Sequence, residues 1–403
     1  MITRRKVLKM FSSIPLLGGL IGAGGITAAS AAVSGPLIKR DYFEELGVRT
    51  FINAAGTYTA LTASLMPKEV VESIHYATNH FVGLDELQEK VGARIATMLR
   101  CEDALVSAGA FSAIVYGTAA AMAGKDSEKI VRLPDDLTGI KHEVIIQKAH
   151  AGGYDRAVRN CGAKLVEVET VEDFENAING NTAMLLFMNY HNHDGNIKHQ
   201  EFVALGKKHQ IPTFNDCAAD VPPVENLWKY TEMGFDMVAF SGGKGIKGPQ
   251  SAGLLLGRKD LIEAARIHMP PRANLGRGMK VNKEEILGMM VALELYLNKD
   301  HDKEWEYWEE QNAHIQKSIE DIPGISTEIF IPEIANHIPS LRINFDRSKA
   351  KHTPREIKEA LVNGKPSIEV ASATEDTLNL TVWMLNKGEE KQVAKSLAKA
   401  LKA

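Results

Sequence analysis

From Glu69 onward, apolar and polar positions follow two different periods. "KEVVESIHYATNHF" and "LDELQEKVGARIATML" place apolar residues three and four apart, which predicts amphipathic helices. "KHEVIIQ", "AKLVEVE", "TAMLLFMNY", "IPTFND" and "FDMVAFS" are short runs rich in valine, isoleucine and phenylalanine, which predicts buried strands. Helical segments such as "KHQEFVALGKKHQ" separate several of them. This alternation predicts an α/β fold: a mostly parallel sheet, helices on both faces, and ligands bound beyond the carboxyl ends of the strands.

The pattern changes at Lys283. A helical stretch from Lys283 to about Asp321 leads into "ISTEIFIP", "SLRINFD", "SIEVAS" and "TLNLTVWM", with a helix opened by Thr353-Pro354-Arg355-Glu356 and a lysine-rich helix at the end. The Thr-Pro-Arg-Glu start combines a capping box with proline at the first helical position. The expected organisation is a leader (1–31), an N-terminal segment (32–68), a large domain (69–282), and a bridging helix with a smaller C-terminal α+β domain (283–403).

Residues 1–31 read as an export signal. A basic start precedes an apolar run from Ile14 to Ile26 and small residues suited to cleavage near Ala29-Ser30-Ala31. Thr3-Arg4-Arg5-Lys6-Val7-Leu8-Lys9 resembles the twin-arginine motif, whose route carries folded cargo. The apolar run is shorter than the ~20 residues of a membrane span. The expectation is an exported, periplasmic or otherwise extracytoplasmic protein with no stable membrane anchor after cleavage.

Charge narrows the partners. The 403 residues include 47 basic and 51 acidic side chains, well mixed, for a net charge of −4, which favours a small-molecule substrate and no nucleic acid. Cys101, Cys161 and Cys217 are an odd number without metal-ligand spacing, so reduced thiols are expected. His191 and His193 in "MNYHNHDGN" follow a core strand and are placed to reach a substrate, but third and fourth ligands are lacking and no metal is expected.

The chemistry centres on "FSGGKGIKGPQSAGLLLGRKDLI", which sets Lys244 among glycines just beyond a predicted strand. Each glycine costs roughly 0.5–1 kcal/mol inside a regular element, so the loop must need unusual dihedrals or close approach. Upstream, Asp216 ends "IPTFND" and is followed by Cys217, Ala218, Ala219 and Asp220. A lysine that forms a Schiff base with pyridoxal phosphate needs such an acid, because a carboxylate keeps the ring nitrogen protonated and the protonated ring is the electron sink. Small Ala218 would let the ring lie against the strand end. "ALVSAGAFSAIVYG" passes from a strand through Gly109, Ala110 and Ser112 into an apolar helix, a start that suits a phosphate. Ser241 offers a second hydroxyl. A GxxxxGK[ST] loop is absent, which argues against a nucleoside triphosphate.

Singly, Lys244 reads as a solvated turn and Asp216 as a helix cap. In the order phosphate loop, acid, lysine, they resemble the fold-type I pyridoxal-phosphate enzymes, the aspartate aminotransferase superfamily. "FINAAGTYTALTASLMPKEV", "SAGAFSAI", "QKAHAGGYDRAVRNCGA", "FNDCAAD", the lysine loop and "GRGMKVNKEEILGMMVALE" narrow this to the group related to selenocysteine synthase (seryl-tRNA selenium transferase), which includes D-glucosaminate-6-phosphate ammonia-lyase.

The resemblance implies pyridoxal 5'-phosphate held by Lys244, with Asp216 on the ring nitrogen and Gly109, Ala110, Ser112 and Ser241 around the phosphate. His150 falls where a side chain stacks on the ring, or else it caps the following turn. Arg272, Arg277, Lys280 and Arg342 are candidates for a substrate carboxylate or phosphate, Arg342 otherwise being a surface residue. A homodimer or larger even-numbered assembly is implied. So is a lyase that converts an amino acid or amino sugar acid to a keto acid and ammonia. A racemase or epimerase, a selenium-transferase-like enzyme, or a binding module that keeps the fold are the alternatives. The export signal and the lack of an evident tRNA-binding module argue against selenocysteine synthesis.

Overall fold

The structure, a computed structural model, describes residues 40–403; the predicted export signal lies outside the described residues. Residues 40–49 carry one short helix, Tyr42–Glu45, whose first turn is capped by Asp41 accepting from the Glu44 N–H.

Within residues 50–403, the predicted strands and one that the sequence did not show form a seven-stranded sheet. In chain order they are β2 (Asp103–Ser107), β3 (Glu143–Gln147), β4 (Lys164–Val168), β5 (Thr182–Met188), β6 (Thr213–Asp216), β7 (Met237–Ser241) and β8 (Gly253–Gly257), following β1 (Ile52–Ala54). Their spatial order is β2-β8-β7-β6-β5-β3-β4. Every residue of β5 is buried, as a central strand covered on both faces requires. The helix Gly109–Ala123 is apolar almost all round and packs across β5 to β8, so it is interior rather than amphipathic. β8 is antiparallel to both neighbours. Its five residues, "GLLLG", are all buried, and the flanking glycines hide this strand in the sequence.

A second core forms around a four-stranded antiparallel sheet ordered β12-β13-β10-β9, from β9 (Ile325–Phe330), β10 (Ser340–Phe345), β12 (Ser372–Ala373) and β13 (Thr377–Thr381). β11 (Ile368–Val370) pairs in parallel with β1, and Ile52 and Ala54 join this core. The expected single bridging helix is two helices, Lys283–Leu297 and His301–Ile319. Asp300 breaks it: its side chain caps the second helix by accepting from the Lys303 N–H at 3.1 Å. Met289 and Leu293 lie in the large core, Trp308 and Ile315 in the small one, so the domains meet at this break. The predicted capping box is present, with the Thr353 N–H donating to Glu356 at 2.8 Å and the Glu356 N–H to Thr353 Oγ1 at 3.3 Å.

Candidate active site

β2, β3, β5, β6 and β7 point the same way, so their carboxyl ends share one edge of the sheet. That edge gathers segments distant in sequence. The Ser107–Gly109 turn leaves β2, His150 follows β3, Asn189 and Tyr190 follow β5, Asp216 ends β6, and Lys244 follows β7.

Asp216 is in register with Met188 on β5 and Ala239 on β7, and is 7% exposed. Burial pushes its carboxyl up to about 6, while the nearby Lys244 ammonium pulls it down and the Ala218 N–H donates to it at 3.1 Å. Asp220, also buried, is likewise held near 6, mainly by burial. Burial in turn lowers the Lys244 ammonium pKa, opposed by both carboxylates. No hydrogen bond or ion pair fixes the Lys244 Nζ among the described residues, so the amine is available for chemistry.

The lysine loop explains its glycines. The Gly248 N–H donates to the Gly242 carbonyl at 2.8 Å and the Gly242 N–H to that of Ala252 at 2.9 Å. A side chain at Gly243 or Gly245 would run into Gln250 or the Val221 carbonyl. Close backbone approach, not left-handed dihedrals, is what these positions need; the left-handed residue of the loop is Lys247, at φ 57°.

At the other end, Gly109 opens its helix at φ 85°, a conformation that favours glycine. No side chain caps that helix start. The Ser107 and Ser112 hydroxyls both donate to the Gly109 carbonyl at 2.9 Å and so shape the turn. β8 supports it from beneath: a Cβ at Gly253 would lie 2.6 Å from the Gly109 carbonyl carbon and 2.7 Å from the Ala110 nitrogen. The Ser241 N–H donates to the Ala218 carbonyl at 3.4 Å, joining the lysine strand to the acid loop. This set fits pyridoxal phosphate: a half-buried amine for its aldehyde, a buried carboxylate for its ring nitrogen, and an uncapped helix start for its phosphate.

Lys244 opens into a cavity of about 430 Å³ between the two domains. Tyr58, Tyr154, Tyr190, Phe330 and Trp383 supply its rings, and Thr57, Ser340, Ser372, Asn336, Asn379 and Thr381 its polar groups. Lys244 is the one charged side chain lining it among the described residues. Thr381 is 6% exposed, and its hydroxyl has no hydrogen-bond partner among them. Sequence reasoning missed this wall. Tyr190 was within reach, since it ends a predicted strand run, but the small-domain residues carry no local signal.

Several predicted residues sit elsewhere. His150 is turned into the core: its ring meets Phe187 edge-on at 4.5 Å, Nδ1 accepts from the Met188 N–H at 3.3 Å, and burial lowers its pKa to about 4. His191 pairs with Asp194 at 3.0 Å and His193 with Glu333 at 2.9 Å, so Tyr190 is the residue of that loop that lines the cavity. Arg272 donates to both Asp85 oxygens, at 3.0 and 3.1 Å, and lines a separate groove. Arg277 and Lys280 are exposed and do not line the Lys244 cavity of their own chain. The Tyr116 hydroxyl, donating to the Met279 carbonyl at 2.9 Å, holds their segment against the large domain. Arg342 stands behind the cavity wall, donating to Glu328 at 2.8 Å and Asn379 at 3.3 Å, with its guanidinium 4.4 Å from the Phe330 ring centre.

The sequence pattern of the SelA family, described as L-seryl-tRNA selenium transferase, matches residues 51–306. The chain belongs to that family. Among its relatives, a D-glucosaminate-6-phosphate ammonia lyase of Salmonella typhimurium (strain 14028s / SGSC 2262) is 29% identical over 337 residues, covering 81% of this chain and 88% of that one. A 5'-C-glycyluridine monooxygenase-decarboxylase of a Streptomyces species is 26% identical, covering 81% and 83%. An L-seryl-tRNA(Sec) selenium transferase of Aquifex aeolicus (strain VF5) is 27% identical, covering 88% and 84%. The solved structure of a D-glucosaminate-6-phosphate ammonia-lyase superposes with a TM-score of 0.79 at 26% identity, over 90% of this chain and 99% of that one. A serine palmitoyltransferase of Sphingomonas wittichii shares the fold at 14% identity and a TM-score of 0.56, over 87% of each chain. These relatives thus carry out several reactions, and the fold is that of the fold-type I group.

Proposed function

We propose that this family member is a pyridoxal-phosphate-dependent ammonia-lyase acting on an amino acid or amino sugar acid. The observation that carries the reading is half-buried Lys244, with buried Asp216 acting on it, in the lining of a cavity built from hydroxyls, amides and aromatic rings. Such a lining suits a hydroxylated carbon chain, and the ammonia-lyase relative matches across most of both chains.

Pyridoxal phosphate, when bound, supplies an electron sink that stabilises negative charge at the substrate α carbon. Asp216 would hold a proton at the ring nitrogen. The uncapped helix start at Gly109 and Ala110 would hold the phosphate. Lys244, its ammonium disfavoured by burial, would remove the α proton. Asn379, Ser340 and Thr381 orient the hydroxylated chain. Loss of a β-hydroxyl with its electrons leaves an enamine. Water returns to it as ammonia departs, so the net change is an amino acid to a 3-deoxy keto acid plus ammonia.

The partners proposed are a small amino acid or sugar-acid substrate and a second copy of this chain. Leu65, Met66, Val71, Tyr76, Phe81 and Val82 expose an apolar stripe suited to that copy. Action outside the cytoplasm is proposed on the twin-arginine motif alone. The deciding experiment is an assay of the purified protein against D- and L-amino acids and amino sugar acids, with and without a terminal phosphate, scoring keto acid, ammonia and inversion separately. Equal yields of keto acid and ammonia support the lyase. Inversion without ammonia would assign a racemase or epimerase instead.

A further inference from the structure

The connection from β9 to β10 meets the large domain at the cavity. Its residues Ala335 and Asn336 both adopt left-handed backbone, at φ 56° and 49°, and the Pro332 carbonyl accepts from His337 Nδ1 at 2.7 Å, folding the segment on itself. Asparagine takes this conformation more readily than most residues. Every polar atom of Asn336 but one is engaged. Its N–H donates to the Ala219 carbonyl at 2.9 Å, on the loop between Asp216 and Asp220, and its own carbonyl accepts from the Ile338 N–H at 2.8 Å. Its Oδ1 accepts from the Thr57 hydroxyl at 3.3 Å, which sets the orientation of the amide. The remaining atom, Nδ2, donates to nothing among the described residues, and Asn336 lines the cavity that Lys244 opens into.

A second idle donor borders the same stretch of chain. Trp383 is 3% exposed, and its Nε1 faces the space above Gly56, where an added Cβ would stand 3.5 Å from it. That N–H also has no partner among the described residues. Gly56 adjoins Thr57, so the two donors flank two consecutive residues. An amide N–H and an indole N–H can only donate. No acidic side chain lines the cavity among the described residues, and its one charge, on Lys244, is basic. Donor-only groups in such a setting select a group that only accepts, since a buried donor left unmatched is costly. We propose that Asn336 is a specificity-determining residue whose Nδ2, together with Trp383 Nε1, receives the carboxylate of the substrate. The proposal rests on the amino acid or amino sugar acid reading above. It gives the acid end of that substrate to neutral donors, because Arg342 is held by Glu328 and Asn379 behind the wall.

The test reads a preference between two probes. Purified protein loaded with pyridoxal phosphate is titrated calorimetrically with D-gluconate, a hydroxylated carboxylate without an amine, and with D-glucitol, which has a hydroxymethyl group in place of the carboxylate. The wild type should bind gluconate at least tenfold more tightly. Asn336→Gly takes the left-handed backbone without strain and removes the donor, so the preference should fall about tenfold, as for a lost hydrogen bond to a charged group. Asn336→Asp can keep the Ala219 and Thr57 bonds but replaces the donor by an anion, and should lose the preference at least as far. A merely structural role would weaken both probes alike and leave the preference intact. A preference retained in either folded variant with its visible band, or absent from the wild type, overturns the proposal while the cofactor reading stands. A wild type that forms no visible band with pyridoxal phosphate overturns the cofactor reading, and the proposal with it.

Discussion

Asp216 and Lys244 sit at the exits of adjacent parallel strands, β6 and β7, where a buried carboxylate and a half-buried ammonium act on each other without a closed ion pair. Each is held away from its ordinary protonation by burial, and each is placed to accept a new partner.

Asp216→Asn separates binding from chemistry. The amide keeps the shape and can still take the Ala218 N–H, but it cannot hold a charge-stabilised proton on the ring nitrogen. The variant is expected to retain pyridoxal phosphate and lose on the order of 100-fold or more in kcat. Absorbance for bound cofactor and initial rates on the same sample check this. Wild-type turnover would place the ring acid elsewhere.

Gly253→Ala tests the phosphate end. Its methyl would press on the Gly109–Ala110 backbone at 2.6 to 2.7 Å, displacing the helix start from below. Overpacking of this kind costs about 1–3 kcal/mol. Cofactor should dissociate at least tenfold faster, by roughly the factor that 1.4 kcal/mol represents. Dialysis followed by absorbance reads this directly, and unaltered retention would remove the cradle from Gly109.

Arg342 acts through its neighbours. It holds Asn379 and backs Phe330, both on the cavity wall. Arg342→Met should raise KM several-fold with little change in kcat. A fall in kcat of about 100-fold would instead mean that the guanidinium leaves Glu328 and reaches the reacting centre.

Five groups with folded-state values between about 4 and 6 contribute to the pH dependence of the apoprotein. His150, His199 and His268 are lowered to about 4 by burial, so their contribution is present above their ordinary value near 6.5 and is lost as pH falls toward 4. Asp216 and Asp220 are raised to about 6, so theirs is present at low pH and is lost as pH rises through 6. Three histidines against two acids leave these five groups with a net uptake of about one proton on unfolding between pH 4 and 6, so their share of stability rises there by about 1.4 kcal/mol per pH unit. His268 has no partner at either ring nitrogen among the described residues, so His268→Phe should flatten this slope. Urea unfolding at several pH values checks it, and an unchanged slope would show that His268 is satisfied in solution.

What the sequence made legible was local or periodic. β5, β6 and β7 announce themselves as apolar runs, and Asp216 and Lys244 stand at their ends, so strand-exit logic reached both. The β8 strand was hidden because glycines flank three leucines, and the break at Asp300 because a capping aspartate resembles any surface acid in a long polar helix. The cavity wall depends on Ser340, Asn379, Thr381 and Trp383, brought to Lys244 only by the docking of the small domain. The pairing of Arg272 was hidden for the complementary reason: its partner, Asp85, is remote in sequence and takes it through both oxygens.

Export is open to a separate check. Arg4→Lys together with Arg5→Lys should leave an active, cofactor-loaded precursor in the cytoplasm, because the proposed route carries folded cargo. Fractionation and immunoblotting read the outcome. Normal export of the double variant would overturn the twin-arginine assignment.

The most direct measurement is borohydride reduction of the purified protein followed by peptide mapping. The account predicts a yellow protein that loses its visible band on reduction and carries one pyridoxyl group per chain, on Lys244. A colourless protein that takes up no added pyridoxal phosphate, or a label on Lys247 with Lys244 unmodified, would contradict it.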